Sequence, residues 1–316
     1  MKLPSQPGNK GAVVSSLLNE SCLLIGFPEY REPAQRLARA AGIPYADALV
    51  HHFPDGETRL RLPEAIPGSV VLCQTLDHPN SRLIELVLAA ATARDLGAKH
   101  ITLIAPYLCY MRQDKAFHPG EAVSQRIVGT LLSQWIDALI TVDSHLYRVH
   151  QLKDAVPVHT AINLTSTPVM SAFLGKQMDN PFLVGPDEES EQWVATIAQD
   201  RDFDYCVARK ERFGDHQVRV HLPKADYRNR HIVLVDDVAS TGRTLEQATL
   251  GLARFEPASI SVLVTHALFV GDAQERLLRA GISNIWSTDA IPHPSNTLHL
   301  DHLLAKALDG RKTVSR

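Results

Sequence analysis

Short apolar runs alternate with helical patterns along almost the whole chain. That alternation is the mark of an α/β protein built on parallel sheets. In the first half, residues 22–26, 69–74, 101–105 and 138–142 read as strands. A second series follows at 183–185, 205–208, 231–236, 259–265 and 284–287. Helical patterns lie between them: 32–41 stopping at Gly42, 81–96 stopping at Gly97, then 121–134, 188–199, 245–254 and 273–280, with a last one at 301–308. Residues 218–222 alternate like one arm of a hairpin. Two successive units with a boundary near residue 160 suit a chain of 316 residues. No short internal repeat and no low-complexity linker is visible.

Composition narrows the function classes. Lys and Arg total 32 against 35 Asp and Glu, a net charge of −3, which excludes a general polyanion binder. A hydrophobic share of 45% excludes disorder throughout. No apolar run approaches the ~18–20 residues that span a bilayer. Residues 1–20 are polar, without a signal-peptide pattern, and read as a loose tail on a cytosolic protein. Cys22, Cys73, Cys109 and Cys206 are far apart and form no CxxC, so they read as small buried hydrophobes.

The segment HIVLVDDVASTGRTL, residues 231–245, carries the sharpest chemistry. An apolar strand delivers Asp236 and Asp237 to its C-terminal end, a tight turn follows, and a helix starts. Backbone N–H groups at a helix N-terminus form an anion site, and Ser240, Thr241 and Thr244 add hydroxyl donors. Gly242 permits the turn and a close approach of the ligand. A phosphate in this loop beside two carboxylates suggests a phosphorylated sugar. The bland alternative is an ordinary strand-to-helix turn with an Asp or Ser cap. The GxxxxGK[ST] nucleotide loop is absent.

Other segments are ambiguous by themselves. FPDGE, residues 53–57, offers an aromatic face for a base and two carboxylates for an exocyclic amine, or simply a hairpin turn. Arg112, Gln113 and Asp114 end PYLCYMRQD and leave a strand end, where open α/β sheets bind ligands. They read equally well as a polar loop. His145 ends VDSH, and a lone His is more often structural. Asp187 ends VGPD. Lys210 and Arg212, in RKER, would share one face of an extended flap, or form a solvated charge run.

Together, and in this order, these motifs resemble the ribose-phosphate pyrophosphokinases, or PRPP synthetases. The resemblance runs from about Cys22 to Leu308, with THALF (265–269) and the DHLLAKAL ending adding to it. The 231–245 loop also resembles that of type I phosphoribosyltransferases. The implied fold is α/β, with two phosphoribosyltransferase-like (type I) domains, each a mainly parallel sheet flanked by helices. The first would be residues 1–160, completed by 296–316, and the second 161–295, with the site between them.

The implied reaction moves the diphosphoryl group of Mg-ATP to the anomeric hydroxyl of ribose 5-phosphate, giving PRPP and AMP for nucleotide biosynthesis. By the family's pattern, Phe53, Asp55, Glu57, Arg112, Gln113, Asp114 and His145 would hold ATP. Asp236, Asp237, Ser240, Thr241, Gly242, Arg243 and Thr244 would hold ribose 5-phosphate. His145 and Asp187 would hold Mg²⁺, and Lys210 and Arg212 would be catalytic, closing on the β-phosphate. The resemblance further implies a cytoplasmic homo-oligomer, a dimer or hexamer, whose FPDGE hairpin reaches a neighbouring subunit's site. Neither nucleic acid nor membrane is an implied partner.

Two departures stand out. Ser144 occupies a usually apolar position. Glu188, Glu189 and Ser190 replace the small residues that follow Asp187 in the family, so that they either alter metal binding or cap a helix. The alternatives are a non-catalytic regulatory relative of the same fold and a phosphoribosyltransferase that consumes PRPP. The Lys210–Arg212 pair speaks against the first; FPDGE, RQD and a two-domain length speak against the second.

Overall fold

The structure, a computed structural model, describes residues 21–213 and 217–310, with the side chains of 210–220 outside the description. The expected N-terminal tail therefore falls outside the described residues.

The first domain contains β1 (Cys22–Gly26), α1 (Arg31–Ala41), β2 (Tyr45–Asp47), an antiparallel hairpin of β3 (Leu49–His52) and β4 (Thr58–Arg61), β5 (Ser69–Cys73), α2 (Pro79–Asp95), β6 (His100–Ile104), α3 (Ser124–Ser133), β7 (Ala138–Val142), α4 (Leu152–Ala155) and β8 (Thr160–Leu164). Its six-stranded sheet runs β2-β1-β5-β6-β7-β8, parallel throughout. The second domain begins with α5 (Thr167–Gln177), β9 (Phe182–Gly185), α6 (Glu191–Arg201) and β10 (Tyr205–Val207). A second hairpin follows, β11 (Arg209–Phe213) with β12 (Gln217–His221), then β13 (His231–Ala239), α7 (Arg243–Ala253), β14 (Ser259–Ala267), α8 (Ala273–Arg279), β15 (Asn284–Thr288) and β16 (Asn296–Leu298). Its parallel sheet runs β10-β9-β13-β14-β15-β16. The two strand orders are the same, and each domain inserts its hairpin after the second strand. The chain is thus a topological duplication that no short sequence repeat betrays.

Strand alternation explains the four cores. On β5, Val70 and Leu72 pack with Leu86, Ala89 and Ala93 of α2 and Leu132 of α3, while Val71 and Cys73 pack on the other face with Leu37 of α1. On β13, Ile232 and Leu234 meet Leu245 and Leu252 of α7, while Val233 and Val235 meet Met170 of α5 and Ile197 of α6. The last helix, α9 (Asp301–Leu308), crosses back to the first domain, where Leu303, Leu304 and Leu308 complete the α1 face.

The domain limits shift from those expected. β8 pairs with β7, which carries the first domain through Leu164 instead of ending at 160. Residues 296–298 pair with β15 and belong to the second sheet, so only the segment beyond them returns. The expected helix start at Glu121 moves to Ser124, because the Glu121 carboxylate is occupied by the Phe117 N–H and the His118 ring. Cys22, Cys73 and Cys109 are buried free thiols; Cys206 is half-buried, its Sγ 3.3 Å from the Tyr227 hydroxyl. Among the described residues no helix is long and apolar enough to cross a membrane.

Candidate active site

β13 does not stop at its aspartates. Asp236 stands opposite Val264, Val238 opposite His266, and the ladder continues to Ala239. The turn that follows is only Ser240, Thr241 and Gly242. It is braced by the Phe269 N–H on the Ala239 carbonyl (2.9 Å) and the Val270 N–H on the Ser240 carbonyl (3.0 Å). Gly242 has φ +69°, a left-handed conformation, and its carbonyl accepts the first helical bond from Glu246 (2.8 Å). The first N–H groups of α7 have no intrahelical acceptor by geometry, and with the helix dipole they make an anion cradle. Arg276 holds this turn, donating to the Thr241 carbonyl at 2.5 Å and pairing with Glu246 at 3.4 Å.

His145 leaves the end of β7 and crosses to the second domain, where its Nδ1–H donates to Asp237 Oδ2 at 3.3 Å. This hydrogen bond raises the imidazole's pKa above the ordinary histidine value, against the effect of burial. Burial alone would push the Asp237 carboxyl up, but the bond and charge of His145 bring it below the usual range. Asp236 goes the other way: burial, then the charges of Asp237 and Asp187, hold it well above the usual carboxylate range. Asp187 caps the turn after β9, accepting from the Glu189 N–H at 3.2 Å. That turn carries the Glu189 carboxylate to 4.0 Å from His145 Nε2. Glu188 lies 3.9 Å from Arg209 at the root of the β11–β12 hairpin. The two extra acids therefore do separate things: one faces the histidine and one faces the flap.

Arg112 is exposed after β6, and Gln113 is half-buried, its carbonyl accepting from the Gln125 N–H at 3.2 Å. Asp114 differs from expectation. Arg148 donates to it from both backbone (3.2 Å) and guanidinium (2.7 Å), and its side chain is 2% exposed. A carboxylate paired in this way braces the loop against Arg148. Phe53, Asp55 and Glu57 are exposed at the tip of the β3–β4 hairpin. Their hydrogen bonds close the hairpin on itself: Phe53 N–H to the Glu57 carbonyl at 2.8 Å, and Glu57 N–H to Asp55 at 3.1 Å. His52, the last β3 residue before the tip, lies 3.5 Å from the buried Glu85 carboxylate. Lys210 and Arg212 stand two apart on β11, opposite Val220 and Val218, and their side chains lie outside the described residues.

Ser144 places a buried hydroxyl with no hydrogen-bond partner among the described residues where the resemblance leads one to expect an apolar side chain. The sequence reading passed over the residue before it. Asp143 is buried and accepts bonds from Ser166, Trp193 and Thr265. Its partners are scattered along the chain, so no local motif announces them.

Two domain families match this chain in order: the N-terminal domain of ribose phosphate pyrophosphokinase over residues 22–135, and the phosphoribosyl transferase domain over residues 169–285. A ribose-phosphate pyrophosphokinase of Methanopyrus kandleri is 32% identical over 278 residues, covering 87% of this chain and 94% of its own. That of Saccharolobus solfataricus is 33% identical, covering 85% and 93%. In fold, the phosphoribosylpyrophosphate synthetase of Mycobacterium smegmatis superposes with a TM-score of 0.78 at 22% identity, covering 92% of this chain and 98% of its own. Both domains and nearly the full length are thus accounted for, and the chain belongs to the ribose-phosphate pyrophosphokinase family.

Proposed function

We propose that this chain transfers the diphosphoryl group of ATP to the anomeric hydroxyl of ribose 5-phosphate, giving PRPP and AMP. One observation carries the reading most directly. His145, from the nucleotide-side loops of the first domain, bonds to Asp237 beside the phosphate turn of the second. Two ligands held by these loops would have their reacting ends at that junction.

The donor set fits Mg²⁺. It offers carboxylate oxygens and one imidazole, and Asp236 is pushed up partly by the neighbouring charges of Asp237 and Asp187, which a cation would relieve. Among the described residues no three His, Cys, Asp or Glu side chains form a metal cage. That suits an ion carried largely by phosphate oxygens and water. Asp187 and His145 would hold it; when bound it supplies charge neutralisation on the phosphates.

The chain's own residues would then position and stabilise. The α7 N-terminus and the Ser240–Thr244 hydroxyls take the 5-phosphate, and Asp236 and Asp237 accept from the pentose hydroxyls. Arg112 and Gln113 hold the triphosphate side. Lys210 and Arg212 on the flap strand meet charge that builds on the transferring group, in an in-line displacement that needs no covalent enzyme intermediate. The exposed FPDGE tip, turned onto itself, suits the adenine of a neighbouring subunit in a homo-oligomer.

Incubation with Mg-ATP and ribose 5-phosphate, followed by separation of nucleotides, tests the reading. AMP and PRPP should appear in equal amounts. ATP left intact at saturating substrates would refute it, and release of pyrophosphate with formation of the base's own nucleotide, only when PRPP and a free base are supplied, would point to a phosphoribosyltransferase.

A further inference from the structure

We infer that Asp143 is the positioning residue that sets the register between the two halves of the active site. This rests on the activity proposed above. Asp143 is 5% exposed, and its carboxylate is surrounded by donors. Trp193 Nε1 reaches Oδ1 at 2.8 Å. The Ser166 N–H (3.0 Å), the Ser166 hydroxyl (2.6 Å) and the Thr265 hydroxyl (2.9 Å) all reach Oδ2. Trp193 belongs to α6 and Thr265 to β14, both in the second domain, while Ser166 lies in the connection. One carboxylate of the first domain therefore takes two bonds from the second domain and two from the connection.

The surrounding backbone supports the same role. Asp143 has φ +41°, a left-handed conformation uncommon outside glycine and held here by its bonds. Its N–H donates to the Leu164 carbonyl at 2.8 Å. Next to Thr265, His266 donates from Nε2 to the Val142 carbonyl at 3.0 Å. The consequence is geometric. Asp143 is two residues from His145, and Thr265 lies on the strand paired with Asp236 and Val238 of β13. The Asp143–Thr265 bond thus fixes the nucleotide-side loop against the strand that carries the pentose-side carboxylates. Three groups converge on Oδ2 and one on Oδ1, so this carboxylate serves as a junction between protein segments.

The test uses Thr265→Val, which removes one donor while keeping the shape, together with Thr265→Ser, Trp193→Phe and Asp143→Asn. The ribose 5-phosphate loop lies wholly within the second domain, so a register change should spare binding of that substrate and slow transfer. Thr265→Val should lower kcat about tenfold and Asp143→Asn about a hundredfold, the scale of a misplaced reacting group. KM for ribose 5-phosphate should stay within about twofold. Thr265→Ser should restore the rate, and Asp143→Asn with Thr265→Val should be no slower than Asp143→Asn alone. The wild-type rate, measured first, tests the activity; the ratio of variant to wild type tests Asp143. Trp193→Phe supplies the same reading if Asp143→Asn does not fold. An unchanged kcat in folded Thr265→Val and Trp193→Phe overturns the inference. So does a higher Mg²⁺ requirement in Asp143→Asn with Thr265→Val unaffected, which would make Asp143 a metal ligand.

Discussion

The carboxylate of Glu189 sits 4.0 Å from His145 Nε2, on a turn where the family's pattern has small residues. Its charge helps hold the imidazole's pKa up, after the larger effect of Asp237. Yet the Glu189 side chain is 53% exposed, so water and salt screen it. Glu189→Gln should therefore change kcat/KM by less than about fivefold, the scale of an exposed ion pair. A much larger loss in steady-state assays would mean that Glu189 itself touches metal or substrate. Lys210 should behave oppositely. As a charge meeting the transferring group, its loss in Lys210→Ala should cost about 10²–10³ in kcat while equilibrium binding of ATP persists. Near-normal turnover would remove the flap from the mechanism. These two side chains mark what sequence could and could not supply. Lys210 could be put forward from sequence because the resemblance rests on a local Lys-x-Arg pattern; the effect of Glu189 depends on a histidine 44 positions away and needed the fold.

Among elements, the central strands were legible and several edges were not. β5 and β7 are buried along their whole length and read as apolar runs. β2, β8 and β16 sit at sheet edges with half-exposed or polar sequences such as Tyr45–Asp47, and nothing in their composition marks them. α5 was missed despite a usable signal: Pro168 in its first turn, then Val169, Met170, Phe173 and Leu174 at helical spacing. The turn between β13 and α7 was legible because it is contiguous. The Asp143 network was not, since its Trp193 and Thr265 bonds span 50 and 122 residues. One element-scale contact is unusually tight. A Cβ on Gly129 of α3 would meet the Ala155 carbonyl oxygen of α4 at 1.8 Å. Backbone cannot swing aside as a side chain can, so Gly129→Ala should destabilise by about 1–3 kcal/mol or more. Tm should fall by about 2–4 °C for each of those kcal/mol, read by circular dichroism. An unchanged Tm would show that α4 shifts freely.

At the scale of the molecule, the chain finishes by stitching its second domain to its first. Asp289, just past β15, receives Arg36 Nη2 of α1 at 2.7 Å, and its carbonyl accepts from the buried Tyr30 hydroxyl at 2.8 Å. Its other carboxylate oxygen accepts from the Leu300 N–H at 2.9 Å, at the start of α9. α9 then lays Leu303, Leu304 and Leu308 onto the α1 face of the first sheet. Burying three such side chains is worth about 5–9 kcal/mol at 1.5–3 each. That is comparable with the whole stability of an ordinary domain, about 5–15 kcal/mol. A chain ending at Leu300 should accordingly lose stability unevenly. The first domain loses a wall of its core, whereas the clusters around β13 keep every residue they use. Hydrogen exchange followed by mass spectrometry should show protection lost over residues 22–164 and retained over 182–298. Equal loss in both domains would mean that they fold as one cooperative unit through the Asp143 and Asp289 contacts. No loss in either would mean that the α1 face is stable without its cover.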